Sequence, residues 1–276
     1  MNKQIYFKRE LDWIKNENIK KLAIQCRDNA PDYFYCVPAS TTGKYHNLAE
    51  TGLSGLYRHS CGVTRFIHHF LALEQNFAEL TEEEMDMLIV AGMFHDVIKL
   101  GLNGSQYTVA DHPLQSSKFV REQNALLDEP LEEDAINFIC NSIESHSGHW
   151  NTNKKGVEFL PKPITHAQKL VHMADYCASR KDISVDFAFD EGYEDEITEA
   201  QFTQEDIDNY VITFGKYKNN IWSEVRNDKD YVQWLYSTLF DEDAKFKCPE
   251  PLATFCQYEI EGHKEDDDDD IDSWEI

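Results

Sequence analysis

The stretch MLIVAGMFHDVIKLG, residues 87–101, decides the reading of this chain. Its apolar run, Met87 to Phe94, falls well short of the roughly 20 residues that a membrane span needs, and it ends on an adjacent imidazole and carboxylate, His95 and Asp96. A buried helix ending in two polar groups is costly to fold unless something compensates their lost hydration. A divalent metal does so, because it accepts neutral imidazole nitrogen and carboxylate oxygen together. Upstream, Thr81 followed by Glu82, Glu83 and Glu84 forms a capping-box pattern. The helix is therefore expected to open there and to run to about Leu100.

Helical spacing of apolar residues recurs on both sides of this core. It predicts one or two amphipathic helices before Cys26, then helices over 55–75, 115–122, 131–145 and 165–180, with further candidates around 205–216 and 231–240. Pro31 and Pro38 make 33–43 extended or looped. Alternating strand patterns are few, so the expected class is all-α, a helical bundle with helical additions at both ends. The organisation expected is a helical extension over 1–37, a core over 38–182, an acidic helical extension over 183–260 packed on the core, and an acidic tail over 261–276. The run KEDDDDDID in that tail cannot form a core and is expected to be disordered.

With 276 residues, 41% of them hydrophobic, the chain can bury a full core, which excludes small disulfide-stapled scaffolds. Its net charge is -25; the stretch from Glu261 to Ile276 holds nine carboxylates against Lys264, so -17 remains on the rest. Such a charge repels long polyanions and anionic membrane over about a Debye length, roughly 8 Å in physiological salt. It leaves room for a small phosphate compound in a locally positive cleft. Seven scattered cysteines without a C-x-x-C pair form a reduced pattern, and MNKQIYFKRE lacks the apolar stretch of a signal peptide. A soluble cytoplasmic protein is the expectation.

Ten of the eleven histidines lie between His46 and His172, which points to a single site in the middle of the chain. Around His95 and Asp96 stand His59 in YRHSCGV, His112 in DHPL, His146 in ESHSGHW and Asp175 in KLVHMADYCASR. Each is on or beside a helix-forming segment, so four or five helices can aim ligands into one bundle core. Asp175 is mid-helix among apolar residues, where an unpaired carboxylate is costly. Four histidines and two aspartates exceed what one metal needs, which admits two ions that bridge a hydroxide and clamp a phosphoryl oxygen. His68 and His69 are rivals for the place of His59, and His149 for that of His146.

The order His, His-Asp, His, His, Asp resembles the HD superfamily of metal-dependent phosphohydrolases, over about residues 38–181. The string VPASTTGKYHNLAETGLSGLYRHS is similar to the segment before the first ligand in HD-type 3′-to-5′ exoribonucleases and their bacterial and phage relatives. The stretch from HDVIK to ADY also resembles bacterial diadenosine-tetraphosphate hydrolases. The resemblance implies an HD-domain fold in which His59, His95, Asp96 and Asp175 hold one metal while His112 and His146 hold a second, with Asp96 bridging. It implies one or two divalent ions drawn from Mn, Fe, Mg, Co and Ni. The context H-S-x-x-V favours His59 over its rivals. Two departures stand out: residues 1–38 show no OB-type nucleic-acid module, and the interval from His59 to His95 is longer than usual, which assigns a longer connection to 76–80.

The activity expected is hydrolysis of a small nucleotide or short oligonucleotide by metal-activated water, with Asp96 orienting or deprotonating that water. Lys99, four residues after His95, is expected to offset phosphate charge, by analogy with H-D-x-x-K relatives. His172 shares the helical face of Asp175 as a supporting partner. Lys44, His46, His149 and Arg180 are candidates for substrate contact, and Trp150 and Tyr176 for stacking on a base. Rival activities are a di-iron oxygenase with the same ligand order, an exoribonuclease, and a non-catalytic acidic binding protein.

Overall fold

The capping box forms as the sequence predicts. Thr81 Oγ1 accepts the Glu84 amide proton at 3.1 Å, and the Glu84 carboxylate accepts from the Thr81 amide at 2.8 Å. The computed structural model describes residues 1–40, 46, 50–102, 104, 105, 107–153, 155–183, 202–241, 244 and 246–262. Lys44, the acidic stretch 184–201 and the tail 263–276 with its expected disorder lie outside them.

The α-helices are α1 (Lys8–Trp13), α2 (Glu17–Asn29), α3 (Gly55–Leu71), α4 (Glu74–Phe77), α5 (Glu82–Phe94), α6 (His112–Ala125), α7 (Glu133–Glu144), α8 (His166–Ala178), α9 (Gln204–Asp208), α10 (Trp222–Val225), α11 (Lys229–Ser237) and α12 (Leu252–Glu261). Among the described residues there is no strand, only two isolated bridges, Thr152 with Glu158 and Val211 with Ile221. The class is all-α. No helix among the described residues is long and apolar enough to cross a membrane.

The chain divides into two compact units, Met1–Gln201 and Phe202–Ile276. In the first, α5 is the central helix: every residue from Asp86 to Phe94 is buried, as an all-round apolar run requires. It packs on α3 and α7, while α3 also packs on α8 and α6 on α7. Gly92 lets α3 approach closely, because a Cβ there would stand 2.7 Å from Ile67 Cδ1 and 3.2 Å from Thr64 Cα. The N-terminal helices join this core through rings. Tyr6 stacks on Tyr35 at 4.3 Å, and Phe7 meets Tyr57 edge-on at 4.9 Å and Phe94 at 5.6 Å. The longer connection between α3 and α5 contains the short α4, tied by Asn76 Nδ2 donating to the Phe70 carbonyl at 2.7 Å.

Three expectations are corrected. Helix α5 stops at Phe94 and does not reach Leu100. Beyond it the amides of Val97, Lys99 and Gly101 bond carbonyls only three residues back, and Gly101 takes φ +72°. The candidate 205–216 helix shrinks to α9, because Gly215 and Asn219 at positive φ turn the chain back on itself. Helix α12 was not expected; its N-cap residue, Pro251, has no side-chain acceptor, and the Glu250 carboxylate before it accepts the Thr254 amide at 3.1 Å. The second unit has a core of its own around Trp222, Leu235, Leu252 and Phe255.

Candidate metal centre

The helix ends make the site. An α-helix leaves its last carbonyls without internal partners, and two of them take up histidine protons here. His95 follows α5 and its Nδ1 lies 2.8 Å from the Gly92 carbonyl. His146 follows α7, and its Nδ1 lies 2.7 Å from the Ile143 carbonyl. His112 opens α6 and does the same with the carbonyl of Val109 at 2.9 Å. A carbonyl only accepts, so each Nδ1 carries a proton, and in the neutral ring each Nε2 then presents its lone pair.

Those lone pairs converge. His95 Nε2 is 3.4 Å from His59 Nε2 and 3.5 Å from Asp96 Oδ2. His112 and His146 bring Nε2 to 2.9 and 3.6 Å from Asp96 Oδ1. From α8, Asp175 Oδ1 approaches His59 Nε2 at 3.1 Å and His95 Nε2 at 3.8 Å. His59 and His95 are fully buried and Asp96 nearly so. Five of the six candidate ligands form two groups, His59 with His95 and Asp175, and His95 with Asp96 and His146, and His112 joins them through its 2.9 Å contact with Asp96 Oδ1.

The donor set fits a divalent cation. Asp96 Oδ1 is buried with no hydrogen-bond partner. His112 Nε2 stands 2.9 Å from it, so with that ring neutral two acceptors face each other. A positive ion between such atoms removes the conflict, and mixed imidazole and carboxylate donors suit the borderline transition metals. Two nitrogens bound to one ion at about 2.1 Å stand roughly 3.0–3.4 Å apart, which the pair His59 and His95 meets.

Electrostatics agrees with the geometry. Burial pushes the Asp96 carboxyl up, but the Lys99 ammonium and the His95 and His112 rings hold it well below the usual carboxylate range. Lys99 Nζ donates to Asp96 Oδ2 at 2.6 Å, so Lys99 stands at the site. Burial and the neighbouring His95 lower His146 to about 3, which keeps it neutral at physiological pH.

His68 and His69 are elsewhere. His68 stacks on Trp13 at 4.0 Å, and His69 lies on the exposed side of α3. His149 is exposed and its ring packs on Trp150 at 3.8 Å, while Arg180 lies over the Tyr176 ring at 4.3 Å. His172 Nδ1 reaches the His146 carbonyl at 2.7 Å, supporting the ligand-bearing loop.

Glu50 escaped the sequence reading. His59 lies inside α3, where the carbonyls are already used by the helix, so its Nδ1 needs a side-chain acceptor. Glu50 Oε2 lies 3.3 Å from it and 2.6 Å from His46 Nδ1. His46 therefore braces a carboxylate behind His59, and His46, Glu50 and His59 form a third buried group of ligand-type atoms. The readable signal was Gly55, four residues before His59 and on the same helical face. A Cβ there would stand 2.1 Å from the Glu50 carbonyl oxygen, so only glycine lets Glu50 press against the start of α3.

Comparison with protein-family models matches residues 56–180 to the HD domain. No curated protein and no solved structure matches the chain. The matched span holds all six converging ligands, and the segment 56–180 of this chain is an HD domain.

Proposed function

We propose that this chain is a metal-dependent phosphohydrolase whose substrate is a small nucleotide. The observation that carries the reading is the buried set of imidazole Nε2 and carboxylate atoms around Asp96, with the Lys99 ammonium 2.6 Å from the same carboxylate. A divalent metal held by His59, His95, Asp96, His112, His146 and Asp175 would supply Lewis acidity and an acidified water.

The chain's own groups do the rest. Asp96 Oδ1, buried and without a protein hydrogen donor, accepts a hydrogen bond from the attacking water and aims it. Lys99, which donates to Asp96 Oδ2, turns toward phosphate oxygens as their charge grows. His146, neutral at physiological pH, serves as a lone-pair donor and not as a general acid. The net charge of -25 favours a small substrate over a long polyanion lying across the surface.

The test is inorganic phosphate released from a panel of nucleoside mono-, di- and triphosphates, dinucleoside polyphosphates and short oligonucleotides, each with Mn, Mg, Co or Fe. Release from at least one pairing, lost in Asp96→Ala, is expected. Iron-dependent oxygen consumption without phosphate release from any member overturns the reading in favour of an oxygenase.

A further inference from the structure

Beside the buried ligands lies an exposed group of rings. Trp150 is 54% exposed and Tyr176 43%, and their rings are nearly parallel, 13° apart with centroids 6.2 Å from one another. His149 packs on Trp150 at 3.8 Å, and the Arg180 guanidinium lies 4.3 Å from the centre of the Tyr176 ring. Large rings in a helical protein are ordinarily drawn into the core, since burying one contributes on the order of 1.5–3 kcal/mol. These two remain outside although the first unit buries Tyr6, Phe7, Phe34, Tyr35, Tyr57 and Phe94 completely or nearly so.

Their attachment ties them to the metal centre. Trp150 is four residues beyond His146, and Tyr176 directly follows Asp175. The two ring-bearing segments are joined by His172, which donates to the His146 carbonyl and whose ring centroid is 6.3 Å from that of Trp150. Gly148 makes the junction fit. It takes φ +59°, and a Cβ there would stand 2.1 Å from the His172 ring. The loop therefore turns over the imidazole and leaves His149 and Trp150 at the surface.

We propose that Trp150 and Tyr176, stiffened by His149 and Arg180, form a platform for the aromatic base of a nucleotide whose phosphates reach the ligands around Asp96. This rests on the phosphohydrolase reading for the position of the phosphates but not for the stacking. A planar π-system, not the phosphate or the sugar, is what the platform recognises. Base–aromatic stacking contributes about 1–3 kcal/mol per base, or roughly 5- to 150-fold in affinity. It also tolerates different bases, because each presents a π-face.

The experiment is titration calorimetry on the full-length protein in Mn with two inert probes, the α,β-methylene analogue of ADP and methylenediphosphonate, which lacks the nucleoside. The wild type is expected to bind the nucleotide analogue at least 5-fold more tightly. Trp150→Ala and Tyr176→Ala should each reduce that preference and leave methylenediphosphonate binding unchanged, while Trp150→Phe should retain most of it. Equal affinity of the wild type for both probes, or an equal loss for both in Trp150→Ala, overturns the platform. Retained preference in a protein that hydrolyses no phosphate ester overturns the phosphohydrolase reading and leaves the platform standing. Hydrolysis without base preference does the reverse.

Discussion

The Nε2 atoms of His59 and His95 stand 3.4 Å apart in the interior, one from the second turn of α3 and the other from the turn that ends α5. Two such nitrogens approach this closely without penalty only around a shared proton or a shared cation. Addition of Mn or Zn to the metal-free protein should therefore raise the melting temperature in proportion to the logarithm of the metal concentration. At 100 times the dissociation constant, linkage gives about 2.7 kcal/mol. His95→Ala should abolish most of the shift. An unchanged melting temperature at millimolar metal would remove the metal centre from the account.

Glu50 sets the orientation of His59. Gln in its place keeps the shape but trades the carboxylate 3.3 Å from His59 Nδ1 for a neutral amide. Loss of such an outer partner typically costs 10- to 100-fold in metal affinity. Glu50→Gln should weaken metal binding by about that factor, measured by competition with a chelating dye, with the far-ultraviolet circular dichroism preserved. Unaltered affinity would mean that backbone packing alone holds His59.

Lys99 should act on rate and not on metal affinity. Its ammonium lies 2.6 Å from Asp96 Oδ2. It can reach phosphate oxygens only by turning from that contact. For whichever substrate releases phosphate, Lys99→Ala should lower kcat by about 10²- to 10³-fold, the usual cost of losing one charge-stabilising donor. Metal titration should stay within about twofold of the wild type. A fall in metal affinity with no separate loss of kcat would make Lys99 a support for Asp96 alone.

The sequence made some of this legible and hid the rest for identifiable reasons. His95, Asp96 and Asp175 could be found because polar groups in apolar helices need compensation, and the Thr81 capping box located the helix that delivers the first two. The separation of His59 from His68 and His69 needed the structure. Periodicity puts all three on one helix, but only Trp13, which stacks on His68, reveals that the far end of α3 meets the N-terminal helices. Glu50 stayed hidden because its carboxylate reaches His59 Nδ1 from outside α3, where no helical spacing records the pairing, and Gly55 marks only the close approach of the Glu50 backbone. Helix α12 opens on Pro251, and its Thr254 amide is taken up by Glu250 in front of that proline, outside the usual Ser, Thr, Asp or Asn cap pattern, so its start carries no such signal.

Gly92 fixes the separation of the two helices that carry His59 and His95. Alanine ordinarily stabilises a helix interior by about 1 kcal/mol over glycine. Here its methyl would meet Ile67 Cδ1 at 2.7 Å, Thr64 Oγ1 at 3.1 Å and Thr64 Cα at 3.2 Å, and the last cannot move without α3. Gly92→Ala should therefore lower stability, by about 1–3 kcal/mol in urea unfolding, and weaken metal binding as α3 and α5 part. A gain in stability would mean that Ile67 and Thr64 yield and that helix propensity wins.

His59 and His146 give the metal-free protein opposite pH limbs. Burial lowers His59, but its bond to Asp175 and the adjacent Glu50 carboxylate outweigh this and raise it to about 9, above the roughly 6.5 of an unfolded histidine. Its contribution to stability is complete below pH about 6.5 and is lost as pH rises through about 9. His146 is lowered to about 3 by burial and by His95. Below pH about 6.5 the unfolded chain takes up a proton that the native ring refuses, so stability falls until about pH 3. Burial raises Glu50, but the His46 and His59 rings outweigh it and hold it at about 2, so its contribution is lost as pH falls from about 4.3 toward 2. Urea midpoints of the chelated protein should therefore peak near pH about 6.5. Saturating metal should remove the alkaline limb, since coordination takes deprotonated Nε2 and tightens as pH rises. A chelated protein whose stability still climbs between pH 7 and 9 would mean that His59 holds no such proton.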